Sequence, residues 1–160
     1  MNDQPNNRYS PRNFIKGKTV EIIFEQMFRE TDRFTIIPFG YQHTLPEIAQ
    51  YAHMVKYQPV FDNIRTAPDF VIVSQDRTSL FMVEVKYRTA HTQADLVEIS
   101  KKILERWDAI WLFLATQDGF YFDSCTNIIK NAGAITPLDF GWVPEDIQKQ
   151  YLGLLKEFIK

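Results

Sequence analysis

Asp69, Glu84 and Lys86 are the residues of this 160-residue chain whose types and spacing can do chemistry. Each belongs to an apolar run: Asp69 stands just before 70–73, and Glu84-Val85-Lys86 closes the run that begins at Leu80. An unpaired charge in such a run costs several kcal/mol to bury, so charges placed there need partners. Side chains two apart in a strand share a face, so Glu84 and Lys86 point the same way. The polar stretch 75–78 reads as the loop of a hairpin, and pairing outward from it sets Asp69 opposite Glu84 on that face. Directly opposed Cβ atoms lie about 4.5–5.5 Å apart. Two carboxylates that close repel unless a cation lies between them. A hard divalent ion with oxygen ligands suits them; Mg²⁺ is the natural choice, with Mn²⁺ as its substitute. An adjacent lysine can stabilise charge developing on a phosphoryl group.

The elements that must position these residues follow from the periodicity of apolar side chains. Residues 17–31 read as a helix with Val20, Ile23, Phe24, Met27 and Phe28 on one face. Residues 34–39 read as a strand and 45–57 as a second helix, whose extension Pro59 limits. The runs 70–73 and 80–85 form the hairpin, 93–107 a helix, and 110–115 and 119–122 two further strands. Pro144 opens a last helix, with Glu145 and Asp146 suiting its positive end. Strands without polar alternation must be covered on both faces. The expected fold is therefore α/β: a mixed central sheet between helices.

Pro68-Asp69, fourteen further residues and then Glu84-Val85-Lys86 resemble the signature of the PD-(D/E)XK nuclease superfamily. The start of the first helix, Gly17-Lys18-Thr19-Val20-Glu21, resembles the Gly-x-x-x-Glu pattern of its Holliday-junction-resolvase-like branch. The resemblance spans roughly residues 17–122. It implies a restriction-endonuclease-like core of order αβββαβ, here with a helical insertion at about 41–66 and a C-terminal helix. It also implies a Mg²⁺-dependent hydrolase of phosphodiesters in DNA, including structured or branched DNA, and less often in RNA. By the same resemblance, Asp69, Glu84 and the Val85 carbonyl are metal ligands. Lys86 orients the attacking water, and Glu21 completes the metal shell. Glu25, one turn on, is the alternative to Glu21. Gln93, at the start of the helix after the motif, corresponds to a phosphate-contacting position; an exposed helix-start residue is the other explanation. Arg88, Lys101, Lys102 and Arg106 form a candidate backbone-binding stripe, although a solvated helix face accounts for such charges equally well.

Composition bounds the alternatives. With 45% hydrophobic and 24% charged residues the chain can build a core, which excludes disorder. One domain is expected over 17–160, preceded by a flexible arm, 1–16. The single cysteine, Cys125, has no internal disulfide partner, and no apolar run approaches the ~20 residues that span a bilayer. A cytoplasmic protein without a membrane partner is the expectation. His43, His53 and His91 lack zinc-ligand spacing, and no glycine-rich phosphate loop is present. Net charge is −2, with five basic against three acidic residues between 86 and 106 and four against seven after 106. That balance is permissive for nucleic acid and leaves open a homodimer or a protein partner. The rival function is a catalytically inactive module of the same fold that binds nucleic acid or protein.

Overall fold

The computed structural model describes residues 10–40 and 58–160. Among them the elements run α1 (Pro11–Glu30), β1 (Phe34–Pro38), α2 (Gln58–Arg65), β2 (Phe70–Ser74), β3 (Leu80–Tyr87), α3 (Gln93–Leu104), β4 (Ile110–Ala115), β5 (Phe120–Ser124), α4 (Cys125–Lys130) and α5 (Glu145–Phe158). The strands form one open sheet in the order β1-β2-β3-β4-β5. β3 and β4 run parallel, joined by the crossover helix α3, and the other neighbours run antiparallel. This is an α/β fold with a mixed sheet flanked by helices. None of the described helices is long and apolar enough to cross a membrane.

β4 explains why its sequence lacks alternation. Ile110, Leu112 and Leu114 enter a core with Leu96, Cys125 and Ile128 from α3 and α4. Phe113 and Ala115 enter the opposite core with Val20, Phe24 and Phe28 of α1 and Leu155 of α5. β3 sorts its side chains in the same way. Val83 and Val85 face α1 and Met82 faces α3, so the alternation carries Glu84 and Lys86 to the α3 side. The segment before α5 is pinned by Trp142, whose ring lies 5.4 Å from Phe34, 5.5 Å from Trp111 and 5.0 Å from Phe122. Such pairs contribute about 0.5–1.5 kcal/mol each beyond the area they bury.

The hairpin register agrees with the sequence expectation: Phe70 pairs with Val83 and Val71 with Met82. Its loop is closed by the Asp76 carboxylate, which accepts from Ser74 Oγ (2.5 Å), Thr78 N (3.0 Å) and Thr78 Oγ1 (2.8 Å). The Ser74 hydroxyl and the two Thr78 groups hold the Asp76 carboxyl down at about 2.

Two helix boundaries depart from the sequence expectation by several residues, and two short helices were not expected. α1 begins at Pro11 rather than Gly17, so 11–16 are helical rather than part of an arm. Proline fits the first helical turn, and Phe14 and Ile15 are exposed there, so no apolar stripe announced it. Arg12 ties this extension to the Lys160 carbonyl at 2.8 Å. α2 was not anticipated; Pro59, read as a limit, lies in its first turn. α3 stops at Leu104, short of Trp107. α4 is too short to show a period. It is capped by Ser124 and anchored by the buried Asp123 carboxylate, which accepts from Ser124 N, Asn127 Nδ2 and Thr136 Oγ1. The helix expected at 45–57, with His43, His53, Tyr51 and Tyr57, lies outside the described residues.

Candidate active site

β2 begins where β3 ends, because the two are antiparallel. Asp69, on the threshold of β2, therefore meets Glu84, Val85 and Lys86 near the end of β3. The parallel partner β4 ends at the same edge, with Tyr87 opposite Ala115. Crevices beyond the carboxyl ends of parallel strands are the usual ligand sites of open α/β sheets. The Asp69 backbone is fixed there by two donors to its carbonyl, Phe39 N at 2.9 Å and Gly40 N at 3.2 Å. Its carboxylate accepts from Val85 N at 2.8 Å. The Lys86 ammonium donates to the Glu84 carboxylate.

α1 crosses this end of the sheet and brings Glu21 to it. A cavity of ≈ 390 Å³ is lined by Glu21, Asp69, Val85, Lys86 and Arg88, and a second of ≈ 290 Å³ by Glu21, Asp69 and Glu84. Glu25 goes elsewhere: it pairs with Arg29 at 2.9 Å, and that guanidinium also donates to the Ile36 carbonyl. Of the two glutamates left open by the sequence, Glu21 is the one at the centre.

Burial, the Glu84 carboxylate and the Glu21 carboxylate, in that order, raise the Asp69 carboxyl from 3.8 to about 7, against the Val85 N–H and Lys86. For Lys86, burial alone would lower the ammonium's pKa. Glu84 and Asp69 more than offset this and raise it above 10.5. Lys86 is therefore a fixed positive charge at neutral pH, suited to stabilising negative charge rather than to accepting a proton.

Oxygen donors crowded enough to repel are what a hard divalent cation relieves, so the donor set fits Mg²⁺ in kind. As placed, no three His, Cys, Asp or Glu side chains among the described residues are gathered around one ion position. Glu84 turns to Lys86, and Glu21 to Lys18 at 2.8 Å. Ligation would require these carboxylates to leave their lysines for the ion.

The other sequence candidates divide. Arg88 lines the ≈ 390 Å³ cavity and, with Lys102 and Arg106, a third one of ≈ 410 Å³ on the α3 side. Lys101 is exposed and lines none of these three cavities. Gln93 is exposed at the start of α3, its backbone packed on Gly133 rather than lining them. Cys125 is buried, and burial pushes its thiol up to about 11, which suits packing rather than nucleophilic attack. His91 packs edge-on to Tyr121. Sequence reasoning missed Asn13 and Lys16, which line the ≈ 390 Å³ cavity from the helical extension, and Arg65, which lines the other two. Lys16 sits 5.7 Å from the Tyr87 ring centroid.

Gly17 also lines both cavities that hold Glu21 and Asp69, inside α1 rather than at its start. A Cβ there would meet no atom within 4 Å. Packing does not require the glycine, and a helix-interior glycine costs about 0.5–1 kcal/mol relative to alanine. Gly17→Ala should therefore stabilise the fold by about that amount in urea unfolding; a loss of stability would mean that α1 is less regular here than its helix geometry implies.

No protein-family model matches the chain and no curated protein is similar to it, so what characterises the centre is its own chemistry: three carboxylates and an ammonium at the open end of a mixed sheet.

Proposed function

We propose that this protein is a metal-dependent nuclease of the PD-(D/E)XK type, hydrolysing phosphodiester bonds in DNA. The observation that carries this reading is the convergence of Asp69, Glu84, Glu21 and Lys86 at one strand end, beside a cavity open to substrate. Asp69, Glu84, Glu21 and the Val85 carbonyl would hold Mg²⁺ or Mn²⁺. When bound, the ion would supply Lewis-acid polarisation of the phosphodiester and acidify water. Val85 N–H keeps the Asp69 carboxylate aimed into the centre. The Lys86 ammonium stabilises the charge that builds on the phosphoryl oxygens. Lys16 and Arg88, on the rim, steer and hold the polyanion.

One observation favours the rival, a binding module without catalysis. Glu84 and Glu21 each already have a lysine partner, so two of the three carboxylates are balanced without an ion. Cleavage assays separate the two. Labelled single strands, duplexes, flaps, four-way junctions and RNA are incubated with Mg²⁺ or Mn²⁺, beside the Asp69→Ala/Glu84→Ala double variant. Wild type should cut at least one substrate, and the double variant should fall by more than the ~10²–10³-fold typical of losing one transition-state contact. No cutting of any substrate, or equal cutting by the variant, would overturn the nuclease and favour the binding module.

A further inference from the structure

The ≈ 410 Å³ cavity on the α3 side shares Glu84 and Lys86 with the centre but has a character of its own. Its rim carries Arg65 at the end of α2, and Lys102 and Arg106 on and just after α3. Its floor is apolar: Ile99 and Ile103 of α3, with Trp107 beyond them. Trp107 is only partly buried and is braced edge-on by Phe39, with ring centroids 5.9 Å apart. Arg106 reaches across the cleft mouth to the Asn63 side chain at 2.8 Å, joining α3's end to α2. Lys102 is held by Glu98 in an ion pair whose side chains are 69% and 66% exposed. A pair so exposed is worth little, so Lys102 can exchange Glu98 for a phosphate at small cost.

From this arrangement we infer that the cleft receives an unpaired nucleotide of the strand whose phosphodiester lies at the centre. Several cations around an apolar, aromatic floor match a ligand that is an anion at one end and a flat apolar ring at the other. A nucleotide is such a ligand when its base is unstacked. A duplex is not, since it presents phosphates outward and keeps its bases stacked on one another. The volume agrees, since ≈ 410 Å³ lies within the ~300–1,000 Å³ of small-molecule pockets. The substrate class that follows is single-stranded, flapped or frayed nucleic acid. This inference rests on the nuclease reading for the neighbouring phosphate, but it concerns binding and is testable without cleavage.

The experiment measures fluorescence anisotropy of the full chain with a labelled 12-mer single strand and with its blunt duplex. It is run in EDTA, where no metal-dependent hydrolysis intrudes, and again with Ca²⁺ to neutralise the carboxylates. The single strand should bind at least ~10-fold more tightly than the duplex in one of these conditions, from stacking of ~1–3 kcal/mol per base. Trp107→Ala should remove most of that preference, and Trp107→Phe should retain it. Because Trp107 also packs, Lys102→Gln/Arg106→Gln supplies a second, more exposed probe. It should weaken single-strand binding and flatten its dependence on salt. An RNA 12-mer that binds as tightly as DNA supports the cleft equally, since the base and phosphate are what it recognises. Equal binding of strand and duplex, no binding of either, or wild-type affinity in both variants would overturn the inference. So would poly-glutamate displacing the strand as well as an unlabelled oligonucleotide does, which would identify a site for an acidic protein. The nuclease reading fails separately, through absence of cleavage in Mg²⁺ and Mn²⁺.

Discussion

Asp69→Asn should abolish hydrolysis and at the same time make the metal-free protein more stable at pH 8. The two effects have one cause. Asp69 is pushed up from 3.8 to about 7 by burial and by the Glu84 and Glu21 carboxylates. Below pH 3.8 the carboxyl is protonated in both the folded and unfolded chain, and folding carries no charge penalty. Between 3.8 and about 7 the folded chain keeps a proton that the unfolded chain releases, so stability falls as pH rises. Above about 7 the penalty is fully present. A tenfold change in proton affinity is worth about 1.4 kcal/mol, and allowing for solvent at the mouth of the site leaves a penalty of about 2 kcal/mol. Asparagine keeps the size of the side chain and can still accept from Val85 N–H. The variant should therefore melt about 4–8 °C above wild type at pH 8 in EDTA, and the difference should shrink towards pH 4. Mg²⁺ should raise the melting temperature of wild type and leave the variant almost unmoved. A variant less stable than wild type at pH 8 would show instead that the carboxylate serves the fold as an anchor for Val85.

What was legible in the sequence follows from which forces act locally. The hairpin register was legible because two continuous apolar runs flank a polar turn, and Asp76 closes that turn with side chains two residues either way. That register alone brings Asp69 to Glu84 and Lys86, so most of the centre could be named before the fold. Glu21 was favoured over Glu25 only by its spacing from Gly17, since the two lie one helical turn apart. What separates them is tertiary: Arg29 bridges Glu25 to β1. The extension of α1 was illegible because its side chains face solvent and it is held by Arg12 on the chain's far end. Lys16 was lost with it. The α3-side cleft was illegible for a different reason. It is made by the ends of two helices, one of them, α2, only eight residues long and with a proline in its first turn. Trp107, read as the last turn of a helix, stands beyond that helix's end and turns towards the cleft.

Gly133→Ala should unfold the protein more readily than any other single methyl addition to a glycine in the described structure. Gly133 has φ +91°, and a Cβ there would sit 2.1 Å from the Gln93 carbonyl oxygen and 2.6 Å from its carbon. Both partners are backbone, so no side chain can swing away. The turn cannot relax easily either. It closes α4 through Gly133 N to the Ile128 carbonyl at 2.8 Å, and Ala132 before it is already at φ +53°. α3 is equally fixed: Thr92 and Asp95 form a reciprocal cap at its start, and Leu96 and Ser100 are fully buried behind it. A left-handed conformation costs a non-glycine residue about 1–2 kcal/mol, and forcing atoms into a packed region about 1–3 more. The expected loss is about 3 kcal/mol, or roughly 6–12 °C in melting temperature for a chain of this size. Gly153→Ala in α5, where a Cβ meets nothing within 4 Å, is the matched control and should be neutral or slightly stabilising. The consequence reaches the cleft, because relief of the clash has to separate the turn after α4 from the start of α3 at Gln93. Ile99, Lys102 and Ile103 ride on α3, and Arg106 and Trp107 follow it. At a temperature where the variant is still folded, the proposed single-strand preference should therefore drop while the proposed cleavage at the Asp69–Glu84 centre persists. Unchanged stability would show that the turn after α4 yields without cost; unchanged preference in a destabilised variant would show that the cleft does not depend on where α3 sits.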